Sequence, residues 1–102
     1  MAQFIRVAST ADLAPGEAKC IEVAGKKIAL FNVEGRFYAV DDTCTHRGGP
    51  LSEGETSGDE VTCPWHGAIF NIKTGAALGS PAPRGVQAYA VRIQGSDLEV
   101  EV

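Results

Sequence analysis

At 102 residues, 44% of them apolar, the chain has the length and composition of one ordinary compact domain, whose small size limits the core it can bury. A formal charge of −4 and the lack of any basic run exclude a nucleic-acid-binding surface of the usual kind. No apolar stretch reaches the roughly twenty residues that span a bilayer, and the opening residues have neither the charged leader nor the apolar run of a secretory signal, so a cytoplasmic protein without membrane attachment is expected.

Apolar residues alternate with a period of two between glycine-bearing turns, which predicts an all-β, antiparallel domain. Residues 4–8 read as a first strand. Thr10 reads as the cap of a single helical turn over 11–13, closed by Pro15 and Gly16. Strands at 18–23 and 27–33 flank a hairpin turn at Ala24, Gly25 and Lys26, and Glu34 and Gly35 turn the chain into a strand at 36–40. Residues 61–63 and 68–71 read as short strands, and 73–75 as a turn. The sequence ends in a hairpin of 86–94 with 98–102, which puts Leu98, Val100 and Val102 on one face and Glu99 and Glu101 toward water. Cys20, in the second strand, is expected to be a buried thiol in a reducing compartment, since free cysteine packs as a small hydrophobe.

Two segments concentrate the metal-binding side chains: Cys44, Thr45, His46 and, further along, Cys63, Pro64, Trp65, His66. The chain has only two histidines, and each follows a cysteine by two or three positions, a placement that chance does not readily produce. Two thiolates suit one iron and two imidazoles a second, which fits a [2Fe–2S] cluster with His₂ in place of Cys₂ on one iron. The same donor set also serves structural zinc, although zinc modules usually pair Cys with Cys and His with His, so a zinc-binding module stays as the remote alternative.

These two arms, with Gly67 after the second, resemble the binding motif of Rieske [2Fe–2S] ferredoxins. The likeness runs through nearly the whole chain and is similar to the small ferredoxins of aromatic-ring dioxygenase systems, down to the loop of Gly79, Ser80, Pro81, Ala82 and Pro83. It implies a Rieske-type β-sandwich with a basal part at 1–40 and 84–102 and an inserted cluster-binding subdomain at 41–83. It also implies that Cys44 and Cys63 hold the inner iron of one [2Fe–2S] cluster and His46 and His66 the outer one. The function implied is transient docking with a flavin or NAD(P)H-dependent reductase and a terminal oxygenase, carrying single electrons between them. The alternative is a small Rieske-like subunit of a larger reductase such as nitrite reductase.

High-potential members of the family add a disulfide between the arms and hydroxyl donors to the cluster sulfurs. The matching positions here hold Gly49 and Trp65 for the cysteines, and Ala68 and Phe70 for the donors, so a potential low in the Rieske range is expected. Gly48, Gly49 and Gly67 are candidates for close backbone approach to the cluster. Arg47, Pro50, Leu51, Trp65, Pro81 and Pro83 are candidates for the docking face, with Asp41, Asp42, Glu53, Glu55, Asp59 and Glu60 as steering charges. With both histidines taken up, no set of two histidines and a carboxylate is left for an oxygen-activating iron, so catalysis by the chain alone is not expected.

Overall fold

The computed structural model describes residues 3–43, 50–64, 67–78 and 85–101. Three antiparallel sheets are stacked so that the middle one is covered on both faces. The middle sheet contains β2 (Ala18–Val23), β3 (Lys26–Val33), β4 (Arg36–Asp41) and β8 (Ala88–Tyr89), in the order β2-β3-β4-β8. One outer sheet joins β1 (Phe4–Ser9), β10 (Asp97–Glu101) and β9 (Val91–Gln94), and the other joins β5 (Glu55–Ser57), β6 (Glu60–Thr62) and β7 (Ile69–Asn71).

The strand β3 shows why the sequence folds this way. Ile28, Ala29, Leu30 and Phe31 form an apolar run without alternation, and all four are at most 1% exposed. Side chains of a strand point alternately to opposite faces, so a continuous apolar run marks a strand buried on both sides. Ile28 and Leu30 pack with Ala39, Leu98 and Val100 under the β1-β10-β9 sheet. Ala29 and Phe31 pack with Val40, Val61 and Phe70 toward the β5-β6-β7 sheet.

The turns follow their residues closely. Ala24 and Gly25, and then Glu34 and Gly35, take positive φ in pairs (53° and 76°, 54° and 89°), the backbone signature of two-residue hairpins whose twist matches the strands they join. Cap and turn at the first helical element sit one residue earlier than the sequence suggests. A 3₁₀ turn runs over Thr10–Asp12, with Ser9 accepting from the Ala11 N–H and Asp12 Oδ2 accepting from the Ser9 N–H at 3.0 Å.

Two expectations need correction. Residues 86–94 do not form one strand: β8 pairs with β4 in the middle sheet, and after Ala90 the chain passes into the outer sheet as β9, paired with β10. The alternation in that stretch carries no mark of a change of sheet. Cys20 is exposed, because Ile21 and Val23 take the inward positions of the edge strand β2 and alternation turns Cys20 outward. Partial burial, and then the charge and hydrogen bonding of the neighbouring Asp42 carboxylate, push its thiol pKa up, against smaller opposing effects of Lys27 and Ser52. It therefore stays a neutral, weakly nucleophilic thiol near neutral pH.

Tyr89 ties β8 to the end of β4 by donating its hydroxyl to Asp41 Oδ1 at 2.6 Å. Burial, then this hydrogen bond and the Asp41 charge, raise its pKa from the usual value near 10 to about 12. The neutral phenol is thus the form the fold favours. The stability it contributes is intact below pH ~10 and is lost as pH rises through about 12. An ultraviolet titration should find a late tyrosine ionisation at about pH 12, and Tyr89→Phe should remove that step.

Candidate metal centre

The β6–β7 connection positions the second ligand arm. Glu60↔Asn71, Val61↔Phe70 and Thr62↔Ile69 are in register, and the Cys63 N–H donates to the Ala68 carbonyl at 2.7 Å, closing the loop just beyond the last strand pair. Cys63 is 2% exposed and belongs to the same core cluster as Leu51, Val61, Ala68 and Phe70. It opens onto a surface cleft of about 440 Å³ whose walls also include Glu53, Glu55, Thr62, Pro64 and Gly67. A side chain at Gly67 would meet no atom within 4 Å, so this rim of the cleft has room beside it.

The first arm is held at its two ends. Thr43 and Pro50 form an antiparallel bridge, and the Leu51 N–H donates to the Asp42 carbonyl at 2.7 Å. Leu51 then enters the core at 0% exposure and opens a short 3₁₀ turn, Leu51–Glu53, that leads into β5. The return point of the first arm and the cysteine of the second therefore share one hydrophobic cluster.

Of the residues singled out in the sequence, Cys63, Pro50, Leu51 and Gly67 are placed by the structure. Cys44, His46, Arg47, Gly48, Gly49, Trp65, His66, Pro81 and Pro83 lie outside the described residues. Leu51 is fully buried and does not belong to a docking face. Asp42 is only 5% exposed and is not a steering charge, and half-buried Asp41 accepts from Tyr89 and from the Gln87 N–H. Exposed charges at the cleft are Glu53 and Glu55, with Glu60 exposed on β6. The 3₁₀ turn at Leu51–Glu53 and strand β5 carry no periodic signal in the sequence. Pro50 ahead of the turn and Gly58 after the strand were the available clues.

A cysteine sulfur is a soft donor that suits iron, and the cleft beside Cys63 gives a metal access to it. The described portion of the site thus fits a thiolate-bound metal centre at the end of a strand pair.

The Rieske [2Fe-2S] domain model matches residues 3–90. The chain is 44% identical over 93 residues to the 3-phenylpropionate/cinnamic acid dioxygenase ferredoxin subunit of Shigella boydii serotype 4 (strain Sb227), covering 90% of this chain and 87% of the relative. It is 36% identical over 92 residues to the ferredoxin component of the naphthalene 1,2-dioxygenase system of Pseudomonas putida, covering 90% and 88%. Its backbone superposes with a TM-score of 0.89 on a chain from the complex of reduced oxygenase and oxidised ferredoxin in carbazole 1,9a-dioxygenase, at 34% identity over 95% of this chain and 91% of that one. A match of this extent to the family's domain, on a buried cysteine at the tip of a hairpin, leaves one conclusion: the chain belongs to the Rieske [2Fe–2S] family.

Proposed function

We propose that Cys44 and Cys63 hold one iron and His46 and His66 the other iron of a single [2Fe–2S] cluster. We further propose that the chain carries single electrons from a flavin or NAD(P)H-dependent reductase to the terminal oxygenase of an aromatic-ring dioxygenase or monooxygenase system. The observation that supports this most is the near end-to-end likeness to ferredoxin components, with about nine-tenths of each chain aligned. When bound, such a cluster would supply one-electron redox chemistry.

The residues of this chain do the rest. The β6–β7 strand pair fixes the Cys63 backbone, and the core beneath it keeps that position from moving when charge arrives, which keeps reorganisation small. Exposed Glu53 and Glu55 give the cleft a negative rim that attracts basic partner surfaces and weakens as salt rises. A carrier has to bind, transfer and leave, so its contacts belong at the small end of interface sizes. Trp65, Arg47, Pro81 and Pro83 are the side chains we assign to that face, with half-buried Pro50 at its margin. With both histidines committed to the cluster, no second iron site for oxygen activation remains, and the chain is a component of a system rather than an enzyme by itself. The neutral thiol of Cys20 suits the reducing cytoplasm, where we place the protein.

Electron paramagnetic resonance of the dithionite-reduced protein, with iron and sulfide counted, tests the assignment: two irons, two sulfides and a mixed-ligand Rieske signal are expected. A colourless, zinc-loaded protein would refute it. Voltammetry of the same sample should give a midpoint toward the lower end of the span of roughly −150 to +300 mV known for Rieske centres. Ala68 and Phe70, both at 0% exposure and without hydroxyls, cannot supply the hydrogen bonds that raise it.

A further inference from the structure

We propose that Asp42 is a positioning residue for the first ligand arm, holding the two ends of the 44–49 segment together so that Cys44 and His46 are presented in one geometry. The inference rests on the assignment of those two residues as ligands.

A carboxylate at 5% exposure is costly to bury unless hydrogen bonds hold it, and Asp42 is held both by the chain returning from this segment and by the neighbouring Cys20 thiol of β2. Its Oδ1 accepts from the Ser52 N–H at 2.8 Å, and its carbonyl accepts from the Leu51 N–H at 2.7 Å. Its own N–H donates to the Lys27 carbonyl at 3.0 Å, tying it to the start of β3. The next residue, Thr43, bridges Pro50. Asp42 is therefore the point where the outgoing strand β4, the hairpin beside it and the returning chain are joined. Two of those joints lie on one residue's backbone and the third on its side chain.

The consequence for the ligands is geometric. Six residues, 44–49, lie between Thr43 and Pro50, and two of them are ligands two positions apart. Metal–ligand distances tolerate only tenths of an ångström, so the separation and twist of the segment's ends limit where both donors can point at once. Leu51, fixed by the second of these joints, is packed in the cluster that contains Cys63. Asp42 thereby sets the position of the first arm relative to the second. A main-chain bond can survive substitution, but the Ser52 bond depends on an oxygen at one distance from the backbone. An asparagine offers that oxygen without the charge, whereas glutamate keeps the charge and moves the oxygen by a methylene.

Loaded protein carrying Asp42→Ala, Asp42→Asn and Asp42→Glu is compared with the parent in two measurements: the rate of cluster bleaching by a chelator well below unfolding, and the resonance spectrum after reduction. Asp42→Ala should bleach about tenfold faster, as expected on losing one buried hydrogen bond, and should show shifted or broadened g-values. Asp42→Asn should keep the parent's bleaching rate and g-values while its midpoint potential moves upward, because a buried negative charge has been removed. Asp42→Glu should resemble the alanine variant despite its charge. Leu98→Ala, in the core cluster on the other face of the middle sheet, should lower the unfolding midpoint and leave both readouts at parent values, separating positioning from general stability. Should Asp42→Ala not fold, the contrast between asparagine and glutamate decides. The proposal falls if asparagine and glutamate both match the parent, or if glutamate matches it and asparagine does not. A parent protein with no [2Fe–2S] signal would instead refute the ligand assignment beneath it.

Discussion

Cys63→Ala should strip the protein of its cluster while leaving most of the fold in place. The side chain is small and 2% exposed, in a cluster with Val61, Ala68, Phe70 and Leu51, so removing one sulfur costs on the order of 1 kcal/mol in packing. Metal coordination works on a larger scale: structural metal sites contribute roughly 10–16 kcal/mol of apparent binding energy, spread over a small number of bonds. Losing one of the four proposed ligands leaves an iron that the remaining donors cannot retain. Iron and sulfide analysis should read near zero, and the visible absorption should vanish. Far-ultraviolet circular dichroism should keep the β signature, since the strand pairs around Cys63 do not need the sulfur. Full iron content in the variant would remove Cys63 from the ligand set. Hydrogen exchange on the metal-free form should show its largest losses of protection within 44–83, between the core strands, and smaller ones in β2, β3 and β10.

The contrast between what the sequence declares and what it withholds can be traced to particular residues. Cys44, His46, Cys63 and His66 stand out from sequence alone because ligand chemistry admits few residue types at short spacing. The hairpin turns at Gly25 and Gly35 stand out because their paired positive φ values draw on a small set of residues. Strand β3 is equally legible in retrospect: Ile28 to Phe31 is apolar at every position, which states that both faces are covered. What was hidden is long-range. Nothing in residues 86–94 says that Ala88 pairs with Val40 while Val91 pairs with Val100. The usual burial of free cysteine points Cys20 inward, whereas the alternation set by Ile21 and Val23 turns it outward. Asp41 and Asp42 read as two similar surface charges, yet their neighbours give them opposite duties: one accepts from Tyr89 and Gln87 on the β8 side, the other from Ser52 on the side of the first arm. Asp41 ends β4 and Asp42 lies just beyond it, so the two face different neighbours that the sequence does not name.

Gly75→Ala should be among the most damaging single-methyl additions, at about 2–4 kcal/mol of unfolding free energy. Two independent constraints meet there. Its φ is +79°, a conformation that costs a residue with a Cβ, and a methyl built on it would overlap the carbonyl oxygen of Val86. The backbone cannot retreat, because the Gly75 N–H donates to the Asn71 carbonyl at 2.7 Å and its own carbonyl accepts from the Val86 N–H at 2.7 Å. Any shift that clears the methyl breaks one of these bonds. Gly58→Ala is the matched control: its φ is +60°, but a side chain there meets nothing within 4 Å, so only the conformational cost of about 1–2 kcal/mol applies. Denaturant midpoints for the two variants, read at equal slope, should differ clearly, and equal losses would show that close approach to Val86 contributes nothing. The difference should also reach the cluster. Gly75 holds Val86 against the turn after β7, closing the base of the segment that contains Pro81 and Pro83, while Leu78 donates to the Ile69 carbonyl at 2.8 Å on the other side of that base. With Pro81 and Pro83 assigned above to the proposed docking face, Gly75→Ala should speed chelator bleaching beyond what its stability loss predicts, and Gly58→Ala should not.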